Sequence, residues 1–452
     1  MVSSLLRAER HPVEVFALLA LAFVLPLVEA PKTLFAALFA LAWIIGRLRD
    51  RNWGGRWDAW DTMFALWFAS GLAVAAFAGI KYQEWRGASD LLRYVALGWL
   101  VKRGGYNERT WVAVLVALVA GTAGALVLGY WIWFLKHLAV RLDAPQLAVA
   151  DLLLRMRTGI MLELKSVGHV NHSAIYLAIA TGAAAGLAMA FWTGLARVWR
   201  GAAVLVVACF AGSLVVMASR AALLAAGAVA VALSVAWWPR SRVPAIAMGS
   251  ALALLVGTAT VLNLEIAKKQ QQYNEQGIVF SYRDTIWNAA LAAADRYPLF
   301  GVGMDNYNRI TLERIEGWRR EAGKPFDPAQ YTATVHGHSL YFNAIAERGW
   351  AGFGVLAAVL LAWALSLARG YPGGDGRAPV WAVWSASLSA WVVTTVAGVF
   401  NTTLHHEHGM LAAMLLGLWL AYKPPTGAQA GERGVAMDNA SANITRQSSA
   451  RR

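Results

Sequence analysis

One cysteine, Cys209, stands among 452 residues, and it lies inside an apolar run. An intramolecular disulfide framework is therefore excluded in any compartment, and a zinc site built on paired cysteines is excluded with it. Charge is scarce as well. Asp, Glu, Lys and Arg make up 15% of the chain, against roughly 25% in soluble domains. Acids are the scarcer sign, with 26 Asp and Glu facing 40 Lys and Arg, and no Asp-rich run is present to hold a divalent cation. The His-Glu-x-x-His order of zinc hydrolases is also missing.

What fills the chain instead is apolar surface. Even with its 41 glycines left out, 58% of the residues are apolar, whereas soluble domains reach roughly 45–50% with glycine counted. An ordinary cytosolic enzyme and a disordered chain are both ruled out. Runs of about 20 apolar residues cross a bilayer, and the pattern predicts an all-α polytopic membrane protein with about twelve spans. They lie near 13–30, 33–47, 61–80, 90–101, 111–134, 172–192, 202–218, 221–238, 243–264, 349–368, 379–400 and 409–422.

The net charge of +14 follows the membrane rather than a nucleic acid, since Lys and Arg concentrate in alternate short loops, the bias that marks the cytoplasmic face. Arg47, Arg49, Arg51 and Arg56 fall in one such loop, and Lys102, Arg103 and Arg109 in the next. Both termini are then cytoplasmic. Residues 1–264 carry the first nine spans. They include a basic amphipathic stretch, 135–171, expected to lie on the outer membrane surface. Residues 265–348 form a large, partly helical outer loop, 349–422 the last three spans, and 423–452 a tail too polar to fold.

Four groups of residues can carry chemistry. From Ala202 to Trp238 the only charged residue is Arg220. As one helix that run would be about 56 Å long at 1.5 Å per residue, nearly twice the roughly 30 Å hydrocarbon core, so it folds as a hairpin with Ser219-Arg220 at the outer apex. A lone arginine there either anchors the turn or binds an anion, and a planar guanidinium suits a diphosphate. Second, His336-Gly337-His338-Ser339 stands at the end of the large loop. A neutral imidazole there can take a proton from a hydroxyl, with Glu347 as a cap or as a partner that orients a histidine. Third, Arg283 opens a helix-like stretch that continues to Tyr297, followed by Pro298 and Gly301-Val302-Gly303. Gly-x-Gly alone is a weak signal, and no strand precedes it, so a dinucleotide site is rejected. Fourth, His405-His406-Glu407-His408 falls at the outer end between the last two spans, as interface, substrate cleft or metal box. Lys81, Arg86 and Arg93 near the fourth span would widen a basic mouth on the same side. No ligand set shows metal spacing, so no metal or cofactor is expected.

These motifs together resemble a known family. Ser219-Arg220, the stretch from Arg283 to Trp287 with its Pro298 and Gly301-x-Gly303 continuation, and His336-x-His338-Ser339 followed by Glu347-x-Gly349 are similar to the O-antigen ligase and polymerase superfamily of inner-membrane glycosyltransferases. The resemblance implies transfer of a glycan from undecaprenyl diphosphate to a sugar hydroxyl of lipid A-core at the periplasmic face, inverting and independent of metal. It implies membrane lipids as surroundings and no nucleic acid. In that reading His338 and Arg220 are catalytic, while Arg283, His336 and Glu347 bind substrate, with Lys81, Arg86, Arg93 and His405 as further contacts. Ser339 departs from the family, where many relatives have Asn. A polymerase or a protein O-oligosaccharyltransferase would share the donor and differ in acceptor. A transporter would show midplane polar residues and paired broken helices, for which these Ala/Leu/Val-rich spans give little support.

Overall fold

The computed structural model describes residues 5–7, 9–143, 160–243, 246–251, 254, 282–373 and 376–422. Among them the chain is all helical, without a strand. In order the helices are α1 (Pro12–Val24), α2 (Glu29–Asp50), α3 (Ala59–Phe77), α4 (Glu84–Lys102), α5 (Glu108–Asp143), α6 (Val170–Phe191), α7 (Arg197–Met217), α8 (Arg220–Trp237), α9 (Arg283–Arg296), α10 (Leu312–Glu321), α11 (Leu340–Arg369), α12 (Ala378–Ala397) and α13 (His406–Ala421). Eight of these are long and apolar enough to cross a bilayer: α2, α3, α5, α6, α7, α8, α11 and α12. Of the expected spans, all but the ninth correspond to a helix. The ninth, 243–264, lies largely outside the described residues, as does the tail 423–452.

Helix α5 departs from expectation. It runs on to Asp143 as one helix of 36 residues, because nothing between Tyr130 and Asp143 breaks it. Residues 135–143 therefore extend a span; residues 144–159, which hold most of the expected amphipathic pattern, lie outside the described residues. The hairpin, by contrast, forms as the arithmetic requires. Helices α7 and α8 are joined through Ala218, whose φ of 52° is left-handed, and Ser219.

Helices α6 and α12 sit at the centre of the bundle and are buried along most of their length. Small residues let them close up: a Cβ on Gly182 would come within 2.3 Å of Ser389 Oγ, and one on Gly186 within 2.4 Å of Ser385 Cβ. Close backbone approach of this kind replaces the hydrophobic driving force that lipid removes. At one end of the bundle the helices are locked by ions. Arg103 grips Asp61 through two hydrogen bonds of 2.9 and 2.6 Å, Lys102 adds one of 2.8 Å, and Arg47 reaches Glu14 at 3.2 Å. Asp61 and Glu14 are almost wholly buried, so loss of either partner would strand a charge at a cost of roughly 3–5 kcal/mol.

The opposite end is organised by a kink. Inside α11, Gly349 has φ 59° and ψ −171°, which breaks the helical ladder and releases two carbonyls and two N–H groups. Each finds a new partner in one loop. Val302 and Gly303 donate to the Ala346 and Glu347 carbonyls, both at 2.9 Å, while Trp350 and Ala351 donate to Pro298 and Leu299 at 2.8 and 3.2 Å. The same loop also accepts from Gly79 and Ile80, just past α3. Buried backbone groups must be paired, and here the pairing binds the 298–303 loop to two spans. Pro298 and Gly301-x-Gly303 thus form a clasp. Gly349 serves both its left-handed φ and the approach, because a Cβ there would lie 2.4 Å from the Leu299 carbonyl.

A methyl group at this position should therefore be costly. Gly349→Ala is expected to lose at least the roughly 1–3 kcal/mol of a strained left-handed residue and to lower the unfolding temperature of the purified protein. Gly354→Ala, on the same helix with open space around it, is the control. Equal unfolding temperatures for the two variants would refute the clasp.

Candidate functional site

The loop that ends the large polar segment is held from three sides. Ser339 caps α11: its hydroxyl accepts from the Tyr341 and Phe342 N–H groups at 3.3 and 3.5 Å and donates to the Gly398 carbonyl at 3.2 Å. The Leu340 N–H meets the same carbonyl at 2.7 Å. Ser and Asn are comparable N-caps, so either residue could fill this position. One residue back, His338 has φ 44°, a left-handed conformation that a non-glycine residue adopts only where its surroundings impose it.

Asn343, one turn into α11, fastens the preceding residues. Its side-chain carbonyl accepts from the Gly337 N–H at 3.0 Å, and its amide donates to Glu347 at 2.9 Å. Glu347 also accepts from the Tyr307 N–H at 3.3 Å. Glu347 is thus buried, neither cap nor direct partner of a histidine, and it orients the His336–His338 turn through Asn343. Sequence reading passed over Asn343, whose only local signal was its position one helical turn before Glu347.

Helix α9 closes the third side. Trp287 stacks on Phe342 with ring centroids 4.8 Å apart, Tyr307 donates through its hydroxyl to the Ile286 carbonyl at 3.0 Å, and Thr285 shares a 2.7 Å hydroxyl contact with Thr332. These contacts hold the start of α9 beside the histidine turn, with the Arg283 guanidinium carbon 6.0 Å from the Phe400 ring centroid. Burial, then the Arg283 charge and His336 beside it, hold the His338 imidazole below its ordinary value of 6.5. His336 is lowered too, chiefly by burial, with Asp305 opposing.

Two cavities meet here. A small one, about 60 Å³, is lined by His336, His405, Asp305, Asn343 and Arg348. Close to it a cavity of about 1010 Å³ runs between α2, α4 and α13. Arg86, Arg93, Lys32 and His172 belong to its polar part together with Glu29 and Glu407, and Ala36, Ala40, Leu97 and Leu100 to its apolar part. Asp90 lines both. From Arg93 to Leu100 along α4 the wall passes from charge to hydrocarbon over roughly 10 Å. Lys32 is buried and held by Glu29 at 2.8 Å and by Glu407. Neither Lys32 nor His172 stood out in the sequence, since each reads as the first turn of an apolar span.

The turn before α13 brings more histidines. Leu404 and His406 both have positive φ, 56° and 47°. Their strain aims His405 toward His336, with ring centroids 6.1 Å apart, and His406 toward His172, at 5.2 Å. His338 follows His336 at 6.4 Å. His169 and His408 flank His172 at 6.1 and 5.2 Å. Seven histidines from three separated stretches of sequence therefore share one end of the bundle.

Arg220 belongs to the same end. The far end of α8 lies beside the start of α12, where Trp237 donates to Ser385 at 3.1 Å and Arg240 to the Gly376 carbonyl at 2.7 Å. The start of α8 therefore points toward Gly398, which holds Ser339. Arg220 is exposed there and lines neither of the two cavities. Arg86 pairs with Asp305 at 3.5 Å and Arg93 with Asp90 at 3.1 Å, and both remain largely open to solvent. Lys81 is engaged differently, donating to the Ala75 and Ala76 carbonyls at 2.8 and 2.7 Å, a cap on the end of α3.

Residues 205–357 match the O-antigen ligase family. The matched segment contains Arg220, Arg283, His336, His338, Glu347 and Gly349, and it supports membership of the O-antigen ligase superfamily. Among curated proteins, none matches the chain. The matched segment spans most of the α7–α8 hairpin, the 298–303 loop and the histidine turn. Lys81, Arg86, Arg93 and the His405–His408 group fall outside it.

An imidazole that is neutral at pH 7 can accept a proton there. The His338 ring is expected to titrate below 6.5, because burial and the Arg283 charge both oppose protonation and no carboxylate is among the groups acting on it. Ring-labelled protein followed by NMR, with His338→Ala to assign the signal, measures this directly. A value at or above 6.5 would contradict it.

Proposed function

We propose that this chain is a membrane glycosyltransferase that moves an O-antigen glycan from undecaprenyl diphosphate to a sugar hydroxyl of lipid A-core at the periplasmic face. The observation that carries the reading is the pairing of a histidine turn with an adjoining cavity of about 1010 Å³ that is polar and charged at one part, where Arg86 and Arg93 keep most of their surface exposed, and apolar at another. A polyprenyl diphosphate has the same division, an anionic head on a hydrocarbon chain. A soluble sugar nucleotide would have no use for Ala36, Ala40, Leu97 and Leu100.

In this reading the His338 imidazole takes the proton of the acceptor hydroxyl as its oxygen attacks C1 of the donor sugar. The bond from C1 to the diphosphate oxygen breaks, and the lipid diphosphate leaves with the electron pair. Attack opposite the leaving group inverts C1. Charge grows on the diphosphate as that bond opens, and preorganised cations stabilise it. Arg283 and Arg220 supply that stabilisation from the histidine side, with His336 as a substrate contact. Arg86 and Arg93 hold the donor at the mouth of the large cavity. Diphosphate is already a good leaving group, so neither nucleotide nor metal takes part in the transfer. A polymerase or protein glycosylase would use the same donor cavity, and only the acceptor separates these readings.

Variants separate the roles. His338→Ala is expected to retain donor binding while turnover falls roughly 10²- to 10⁴-fold, the range for a positioned general base. Arg220→Ala is expected to weaken both, and Arg220→Lys to recover only part, because an ammonium keeps the charge and loses the two-pronged geometry. Each variant is compared for affinity toward the lipid-linked donor and for transfer rate in EDTA, with lipid A-core, a second lipid-linked glycan and a Ser/Thr peptide as acceptors. Near-normal transfer by folded His338→Ala removes the base. A fully active Arg220→Lys returns that arginine to an anchoring role, and preference for another acceptor reassigns the member.

A further inference from the structure

Three of the clustered histidines have a geometry that the transfer reaction does not use. One ring nitrogen of each of His172, His405 and His406 lies within 4.8 Å of the others. The three come from two separate elements, the first turn of α6 and the turn that opens α13. The Nδ1 atoms of His172 and His405 are buried with no hydrogen-bond partner in the described structure. Buried polar nitrogens without a partner are rare, and each calls for a reason. The backbone adds a second, independent observation: Leu404 and His406, on either side of His405, both adopt the left-handed conformation. Leucine gains nothing from that conformation itself, and strain of this kind collects where a ligand is to be held.

We propose that His172, His405 and His406 form a binding site for one borderline transition-metal ion of the zinc class, tying the start of α6 to the start of α13. Imidazole suits such ions better than it suits Mg²⁺ or Ca²⁺, which require oxygen ligands. Zinc holds nitrogen at about 2.0–2.1 Å, so neighbouring ligand atoms in a tetrahedral site stand roughly 3.3 Å apart. The present spacing thus needs a modest contraction, which His406 can supply, since its side chain is exposed. Water completes the fourth position. The acid nearest in sequence, Glu407, is already committed to Lys32, so the site rests on neutral nitrogen ligands alone.

The site is separable from the transfer chemistry. His338 is not among its ligands, and a chelated protein that still transfers glycan can still bind zinc at this point. His172 and His406 also line the large cavity, so an ion there would sit in the cavity wall and fix the position of α13 beside it.

The test uses the full-length chain, purified in detergent on an affinity tag without histidine and stripped with EDTA. Equilibrium dialysis against Zn²⁺, read by elemental analysis, is expected to give one ion per chain. His406→Gln, at an exposed position, and His172→Ala should each weaken binding by more than the 10- to 100-fold that even an outer partner of a metal site is worth. His11→Gln, whose ring pairs with Asp50 away from the cluster, should bind as the unaltered chain does. Co²⁺ bound to the unaltered chain gives a further readout, visible bands of a tetrahedral nitrogen site, which needs no variant to fold. No retained zinc in the unaltered chain would overturn the proposal, and so would equal retention in His406→Gln or absence of the tetrahedral bands.

Discussion

The architecture depends on a broken helix. Where α11 turns at Gly349, four backbone groups leave the helix ladder and pair with residues 298–303. In a chain this apolar, an unpaired amide near the bilayer would cost several kcal/mol, so the break exists only because the loop fits it. That fit fixes the entry of the polar segment against α3 and α11. It also places Glu347 and Asn343 where they can hold the histidine turn. The histidine turn thus leans on the first turns of a span, and precision of that kind favours chemistry.

The two ends of the bundle use charge in opposite ways. At one end Asp61, Arg103, Lys102, Glu14 and Arg47 are paired with one another and buried. Along α2, Lys32 and Arg47 are roughly 22 Å apart at 1.5 Å per residue, so the histidine end is separated from this lock by most of a bilayer. At the histidine end Lys32 is buried between two carboxylates, but other cations stay exposed. Arg86 and Arg93 keep most of their surface exposed despite their carboxylate partners, and Arg220 is exposed. Buried pairs stabilise a fold, whereas solvent-exposed cations can meet an anionic lipid headgroup.

Much of this was legible in the sequence. Apolar runs are period-independent and long, so the helices and the α7–α8 hairpin followed from length and the bilayer thickness alone. The histidine turn and Arg283 stood out because polar residues are rare in this chain. What could not be read was which helix ends meet. His172 reads as the start of a span, and nothing local says that it faces His406 across the bundle. Gly301-x-Gly303 and Gly349 were visible as a pattern, but their role is a set of backbone hydrogen bonds between distant segments, for which side-chain identity carries no code beyond the need for glycine. The link from Glu347 to the histidine turn was hidden for the same reason, since it runs through Asn343 and the Tyr307 backbone. The continuation of α5 to Asp143 was hidden by a change in composition that did not break the helix.

One measurement bears on the centre of this reading. Purified protein is incubated with undecaprenyl-diphosphate-linked O-antigen and lipid A-core, with no nucleotide and no added metal, and the products are resolved by size. The expected result is a joined glycolipid that forms only when protein, donor and acceptor are all present. A well-folded protein that yields no joined product, or that yields it only when a nucleotide is supplied, would contradict a transfer centre built on His338 and its surrounding cations.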